Sequence, residues 1–580
     1  MENTRRKLGW TVGVALALFA ILALGSAGAQ FFSGLSPFAP TNALAEDAPD
    51  YTLTILHTND VHAHFLPFNK MGATCGEKGT EDENCVGGAA RLAGVIKKVR
   101  EERSEAILLD AGDQFQGTLF YTRWKGEGSS RLMTKMGYDA MVVGNHEFDN
   151  GPCNLGAFIK SVRFPVLGAN LNVQMEPCLD GLIKPYTVLT AGGQKIGVVG
   201  FTTEDLATSS SPGGNVTAQQ IEASIRPVIQ GFKALGINKI IGLSHAGLER
   251  DKTVAEAVDG LDVIVGGHSH TYLSSTDPSA QGPYPVVEHS PDGGTVLIVT
   301  SGAWGKYLGR LDVTFDANGA AKSWTGGPIP IDASSPEDPN VASIVADLDK
   351  PLAELREQVV GSSKTDLTGA EVQCRFEECP IGNLITDAML WATANRGVRI
   401  AFENGGGVRA GIPAGEVRMG QILEALPFGN TLATMEIKGE DILAALENGV
   451  SRADKPTGGG TGRFLQTAGL HYVWNPDAPV GSRVVKAEVV KPDGGLEPLQ
   501  ADAVYKVAVN SFLRRGGDGY TVFVEKAKKT EEDGPTLDEA VAAYIRTHSP
   551  IAPATEGRIT RSAAKKQEDS GNPVKSEKQE

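Results

Sequence analysis

Five short polar clusters in the first half of the chain carry oxygen and imidazole donors at close intervals. They are His57-Thr58-Asn59-Asp60-Val61-His62, Asp110-Ala111-Gly112-Asp113, Gly144-Asn145-His146-Glu147-Phe148-Asp149, Ser244-His245-Ala246-Gly247 and Gly266-Gly267-His268-Ser269-His270. Together they offer Asp60, His62, Asp113, Asn145, His245, His268 and His270, a mixture of carboxylate, amide and imidazole. That mixture suits zinc, manganese or iron better than calcium, and the lack of thiolate argues against a structural zinc site. The set exceeds what one tetrahedral ion needs. It suffices for two ions sharing a bridging carboxylate, which can clamp a phosphoryl group and turn a bound water into hydroxide. Singly, each cluster has a bland reading: a structural strand-end histidine, a loop-capping Asp110, a solvated Glu147. Their joint occurrence, with six of the ten histidines inside them and five of those, His57 apart, in candidate roles, carries the metal reading. His57 and His64 stand beside the candidate ligands and are read as structural.

His146 has a second expectation attached. Asp149 follows three positions later, so one helical turn would place its carboxylate against the imidazole. Such a partner fixes the tautomer and favours the protonated ring. A cationic imidazole beside two metals would stabilise developing charge or protonate a leaving alkoxide.

Each cluster ends a short apolar run. Tyr51–Leu56, Ala106–Leu109, Ala140–Val143, Lys239–Leu243 and Asp262–Val265 read as strands, as do Lys195–Val199 and Val296–Thr300. Ala89–Arg100 and Ile221–Leu235 have helical periodicity, so residues 50–330 read as an α/β layered domain. In open α/β sheets the carboxyl ends of strands form the ligand crevice, and the five clusters are expected to converge there. Residues 331–360 read as a linker helix, 361–555 as a second α/β domain, and 556–580 as a disordered polar tail.

The chain has 580 residues, enough for more than one domain, and a net charge of −16 that disfavours nucleic-acid binding. Arg5, Arg6 and Lys7 precede the apolar run Leu8–Leu24 and Ala27-Gly28-Ala29, the layout of a signal peptide over residues 1–29, or up to Ala45. Export to the periplasm or the cell exterior follows, with an uncleaved membrane anchor as the alternative. The six cysteines fit an oxidising compartment and pair by sequence proximity as Cys75–Cys85, Cys153–Cys178 and Cys374–Cys379. No obligate protein partner is indicated.

The second half holds Cys374-Arg375-Phe376-Glu377-Glu378-Cys379, then Asn404-Gly405-Gly406-Gly407-Val408-Arg409 after the strand Arg399–Phe402. Pro427-Phe428-Gly429-Asn430, Phe512 and Gly516-Gly517-Asp518-Gly519 follow. Read without a relative in mind, these supply arginines for an anion, amides for polar edges and aromatics for a flat ring.

The first-half motifs resemble those of the calcineurin-like metallophosphoesterases, and residues 50–555 as a whole resemble the secreted 5′-nucleotidase family. The resemblance implies a four-layer sandwich domain joined by a helix to a substrate-binding α/β domain. It implies one metal on Asp60, His62, Asp113 and His270, and another on Asp113, Asn145, His245 and His268, with Asp113 bridging. His270 departs from relatives that carry an amide there. It further implies that Phe428 and Phe512 sandwich a nucleobase, Asn404 and Asn430 touch its edge, Asp518 holds ribose hydroxyls, and Arg375 and Arg409 bind phosphate. The second domain is expected to rotate about the linker. The activity expected is release of phosphate from nucleoside 5′-monophosphates by metal-bound hydroxide, with two zinc or manganese ions. Cleavage of 2′,3′-cyclic nucleotides or UDP-sugars, and a non-catalytic nucleotide-binding surface protein, are the alternatives.

Overall fold

A computed structural model describes residues 50–69, 74–75, 85–369, 372–453, 461–532 and 534–562. The expected signal segment and the end of the polar tail lie outside them.

Two six-stranded sheets build the first half. One runs in the order Ala321–Pro330, Tyr307–Phe315, Tyr51–Thr58, Ile107–Asp110, Ala140–Val142, Val166–Leu167. The other runs Val286–His289, Thr295–Val299, Val263–Val265, Ile240–His245, Gln194–Thr202, Tyr186–Ala191. Side chains alternate across each strand, so Ile55, Leu109 and Val142 join Val198, Leu243 and Val265 in the core between the sheets. Leu56, Leu108 and Met141 point the other way, onto the helices Ala89–Glu102, Gly126–Met136 and Pro152–Ser161. The helix Ile221–Ala234 seats Ile225, Ile229 and Phe232 against the far sheet. Helices thus cover both outer faces of two stacked sheets, and this is the four-layer sandwich expected. Central strands buried on both faces explain why their sequences are near-continuous apolar runs.

Parallel register brings the strand ends to one rim. His57 pairs with Leu109, and Asp110 pairs with both Thr58 and Met141. In the second sheet His245 pairs with Thr202, and Leu243 with Val265.

The second half centres on a five-stranded sheet, Leu465–Ala468, Ile400–Asn404, Val504–Asn510, Leu432–Lys438, Lys528–Glu531. Helices Pro380–Ala392 and Leu537–His548 cover one face, and Gly439–Val450 covers the other.

Two expected boundaries are corrected. The linker is not one helix over 331–360 but two, Pro339–Asp349 and Ala353–Glu357. Asp338 caps the first, accepting from the amides of Asn340 and Val341 at 2.9 and 3.0 Å. Pro351 has no N–H to continue the ladder, so the chain breaks there. Structure also continues past 555: Ile559–Arg561 pairs with Tyr472–Trp474, and Arg558, buried, binds Asp387 and Glu556. The apolar signal there is a single isoleucine, too little to mark a strand in sequence.

Candidate metal centre and substrate cavity

The rim gathers the first-half candidates into two groups of facing donors. Asp60, His62 and His270 offer one ligand atom each, all within 4.8 Å of one another, and Asp113, His245 and His268 do the same. Asp113 Oδ2 lies between them, 3.1 Å from His245 Nε2 and 3.9 Å from His62 Nε2. The Asn145 side-chain oxygen joins the second group, 2.9 Å from His268 Nδ1 and 3.2 Å from His245 Nε2.

These donors fit a pair of divalent cations. His62 Nδ1 donates to the Phe115 carbonyl at 2.8 Å and His245 Nδ1 to the Ala111 carbonyl at 2.6 Å, so in both rings it is Nε2 that faces inward as a ligand atom. His62 Nε2 and His270 Nε2 meet at 3.1 Å, a contact between two ring nitrogens that calls for a proton or a cation between them. Burial, reinforced by Arg409 at His62 and by His62 at His270, pushes both pKa values well below the ordinary imidazole range. Burial likewise takes His268 down to about 3. Neutral imidazole is the form that ligates. Burial would raise Asp113, but His245 first, then His146 and His62, holds it well below the usual carboxylate range.

The backbone at this rim is unusual. Asp60, His62, Asp113, His268 and His270 have φ of 50°, 49°, 57°, 74° and 52°, a left-handed conformation that disfavours side-chain-bearing residues. Such strain persists only where surrounding contacts over-determine it. At Asp113, Glu147 supplies such contacts. Its buried carboxylate accepts from the amides of Asp113 at 2.9 Å, Gln114 at 2.8 Å, Phe115 at 3.2 Å and Gly144 at 2.7 Å, tying two rim loops together. Burial, then repulsion from Asp113, pushes its pKa up to about 8. The four amide donors act against that push, since they leave no acceptor for a carboxyl proton and favour the ionised form. The solvated-glutamate reading is thereby corrected, since only the fold shows that these amides converge on one side chain. Asp110 is similarly enclosed, accepting from Thr58 Oγ1, Gln114 Nε2 and the Gly112 amide.

His146 Nδ1 stands 2.6 Å from Asp149 Oδ2. Burial opposes ionisation of the ring, but the Asp149 and Asp113 carboxylates prevail and raise its pKa. His57 lies in the core, its Nε2 2.9 Å from the Tyr284 hydroxyl, and His64 stacks on Trp304 with centroids 4.8 Å apart. Neither lines the central cavity.

That cavity, about 350 Å³, opens between the two halves. Asn145, His146, Asp149, His268 and His270 line one side. Arg375, Asn404, Arg409, Phe428, Asn430, Phe512 and Asp518 line the other, so all seven second-half candidates face it. Asp60, His62, Asp113 and His245 lie behind its wall. The halves touch at the centre: Arg409 reaches to 3.0 Å from His62 Nε2, and the Phe428 ring stands 5.7 Å from that of His146. Asn404 Nδ2 donates to Asp518 at 2.8 Å, and its oxygen accepts from Asn510 at 2.8 Å.

Arg452, Arg463 and Asp205 also line the cavity, and sequence reasoning passed over them. Arg463 had a usable signal. Gly458-Gly459-Gly460-Thr461-Gly462-Arg463 repeats the glycine-run-then-arginine pattern of 404–409, and the Gly406 amide donates to the Gly462 carbonyl at 2.8 Å. Arg452 and Asp205 had none, since they are distant in sequence and meet only across the interface, at 2.7 Å. The three disulfides form as sequence proximity suggested, Cys75–Cys85, Cys153–Cys178 and Cys374–Cys379.

A layered sandwich with Asp and His clusters at its strand ends, closed by a second domain over a shared cavity, defines a class of phosphoesterase. Residues 53–272 match the calcineurin-like phosphoesterases, and residues 359–525 match the 5′-nucleotidase C-terminal domain. The chain is 38% identical to a 5′-nucleotidase of Bos taurus, covering 89% of this chain and 92% of the relative. It is 37% identical to a 5′-nucleotidase of Homo sapiens, covering 88% and 91%. A solved 5′-nucleotidase precursor from Thermus thermophilus superimposes with a TM-score of 0.83 at 41% identity, covering 88% of this chain and 99% of that one. The chain belongs to the 5′-nucleotidase family, and it is a metal-dependent phosphohydrolase.

Proposed function

We propose that the substrates are nucleoside 5′-monophosphates, hydrolysed to nucleoside and phosphate. The observation that carries this is the shared cavity, in which the His146 and Asp/His rim faces four arginines, Arg375 and Arg409 among them, two phenylalanines and a polar Asn404–Asp518 edge. In this reading Asp60, His62, Asp113 and His270 hold one divalent cation, and Asp113, Asn145, His245 and His268 hold the other; zinc or manganese suits the donors. Bound cations supply Lewis-acid polarisation of the phosphoryl group and acidify water.

The chain's own residues do the rest. Arg375 and Arg409 hold the phosphate, and their charge offsets the overall negative surface. Phe428 and Phe512 stack on the base, Asn404 and Asn430 meet its edge, and Asp518 accepts from the ribose hydroxyls. With Nδ1 committed to Asp149, His146 presents Nε2 to the leaving oxygen, and its raised pKa keeps a proton there to donate. Rotation of the second domain about residues 331–360 would admit the substrate. The disulfides support export, and among the described residues no helix is long and apolar enough to cross a membrane.

The test is turnover of AMP, 2′,3′-cyclic AMP and a UDP-sugar by protein reloaded with zinc or manganese, before and after chelation. AMP should be turned over fastest, and activity should vanish with the metal. Retained activity in verified metal-free protein, or preference for either other substrate, would overturn the reading.

A further inference from the structure

Asp149 has two carboxylate oxygens, and only one is engaged by His146. The other, Oδ1, accepts from the Ser210 hydroxyl at 2.6 Å, from a residue 61 positions away in the chain. We propose that Ser210 is a positioning residue for the His146–Asp149 pair. A carboxylate held through one oxygen can still swing about its own axis. Held through both, its plane is fixed, and with it the direction in which His146 points its proton. Hydrogen bonds to an ionised acceptor are short and roughly twice as strong as neutral ones, which suits this task.

The segment that presents Ser210 is built to stay put. It follows the strand Gln194–Thr202, and Ser210 itself is 8% exposed. Leu206 is buried in the same core as Phe148, which precedes Asp149, and as Leu155 and Phe158 of the helix that follows it. Arg250 clamps Glu204 through two bonds of 3.1 and 2.7 Å. The Asp205 carbonyl accepts from the amides of Thr208 and Ser209, winding the turn. Asn145 Nδ2 donates to the Ser209 carbonyl at 3.4 Å, so the same turn touches the metal rim. Ser210 sits in the run Thr208-Ser209-Ser210-Ser211, where nothing in the sequence marks one hydroxyl out.

The inference rests on the reading of His146 as donor to the leaving oxygen, and the experiment separates the two. AMP has a poor leaving group that needs a proton; 4-nitrophenyl phosphate has a good one that does not. In fully metal-loaded protein, Ser210→Ala should lower kcat for AMP about tenfold, equivalent to ~1.4 kcal/mol, with KM within about twofold. On 4-nitrophenyl phosphate the same variant should lose less than about twofold, because no proton transfer is demanded there. Ser210→Thr, which keeps the hydroxyl, should restore AMP turnover. His146→Ala serves as the reference and should show the same leaving-group discrimination, larger. If His146→Ala discriminates and Ser210→Ala does not, the positioning role is overturned while the reading of His146 stands. If Ser210→Ala slows both substrates alike, its hydroxyl serves structure only and the proposal fails. If His146→Ala itself shows no discrimination, the reading of His146 fails and takes this inference with it.

Discussion

Glu147→Gln isolates the contribution of a residue that touches neither cation nor substrate. One oxygen of Glu147 accepts from Gln114 and Phe115, the other from Asp113 and Gly144. Glutamine keeps one oxygen and turns an NH2 toward the remaining two amides, whichever way it is oriented. Two bonds to a charged acceptor are lost, each worth about 1.5–3 kcal/mol, and two buried N–H groups then face a donor. Relief from burying a charge returns part of that. A net loss of about 3 kcal/mol follows, concentrated in the loops that carry Asp113 and Asn145. Since Glu147 supports candidate ligands from outside their immediate shell, cation affinity should fall about 10–100-fold. The measurements are thermal unfolding of metal-free protein, and metal content by elemental analysis after dialysis against a graded chelator. A variant that melts with wild type and keeps its metals at the same chelator concentration would refute the argument.

Gly144→Ala should be folded yet unable to retain metal, because its Cβ would stand 2.2 Å from Asp113 Oδ1; elemental analysis of the purified variant checks this. Glu403 is buried beside Asn510, and burial raises its pKa from 4.5 to about 8. Below pH 4.5 both folded and unfolded chains hold that proton, and stability is lost as pH rises from there to 8, by a few kcal/mol at about 1.4 kcal/mol per unit. Glu403→Gln should therefore gain on wild type across that same range in denaturant titrations, and a pH-independent difference would count against it. The Arg452–Asp205 pair spans the halves with both side chains more than half exposed, so it is worth at most ~1 kcal/mol. Arg452→Ala should raise KM no more than about fivefold, and added salt should erase the difference from wild type.

Sequence alone determined the set of candidate donors and the layered α/β character, because both are written locally. Apolar runs of strand length, each ending in polar residues, specify where strands stop, and the carboxyl ends of such strands share a rim. His146 and Asp149 were likewise readable from their spacing, since one helical turn brings them together. The tertiary structure decided what distant segments do to one another. Glu147 looks like any surface glutamate until the amides of two rim loops are folded onto it. Ser210 and Asp205 belong to an ordinary polar stretch until the fold lays it against Asp149 and Arg452. The left-handed backbone at five rim residues, and the strand at Ile559–Arg561, depend on contacts that no local pattern encodes. Donor chemistry is a property of side chains and survives in a linear reading, whereas orientation depends on partners hundreds of residues away and exists only once the chain has packed.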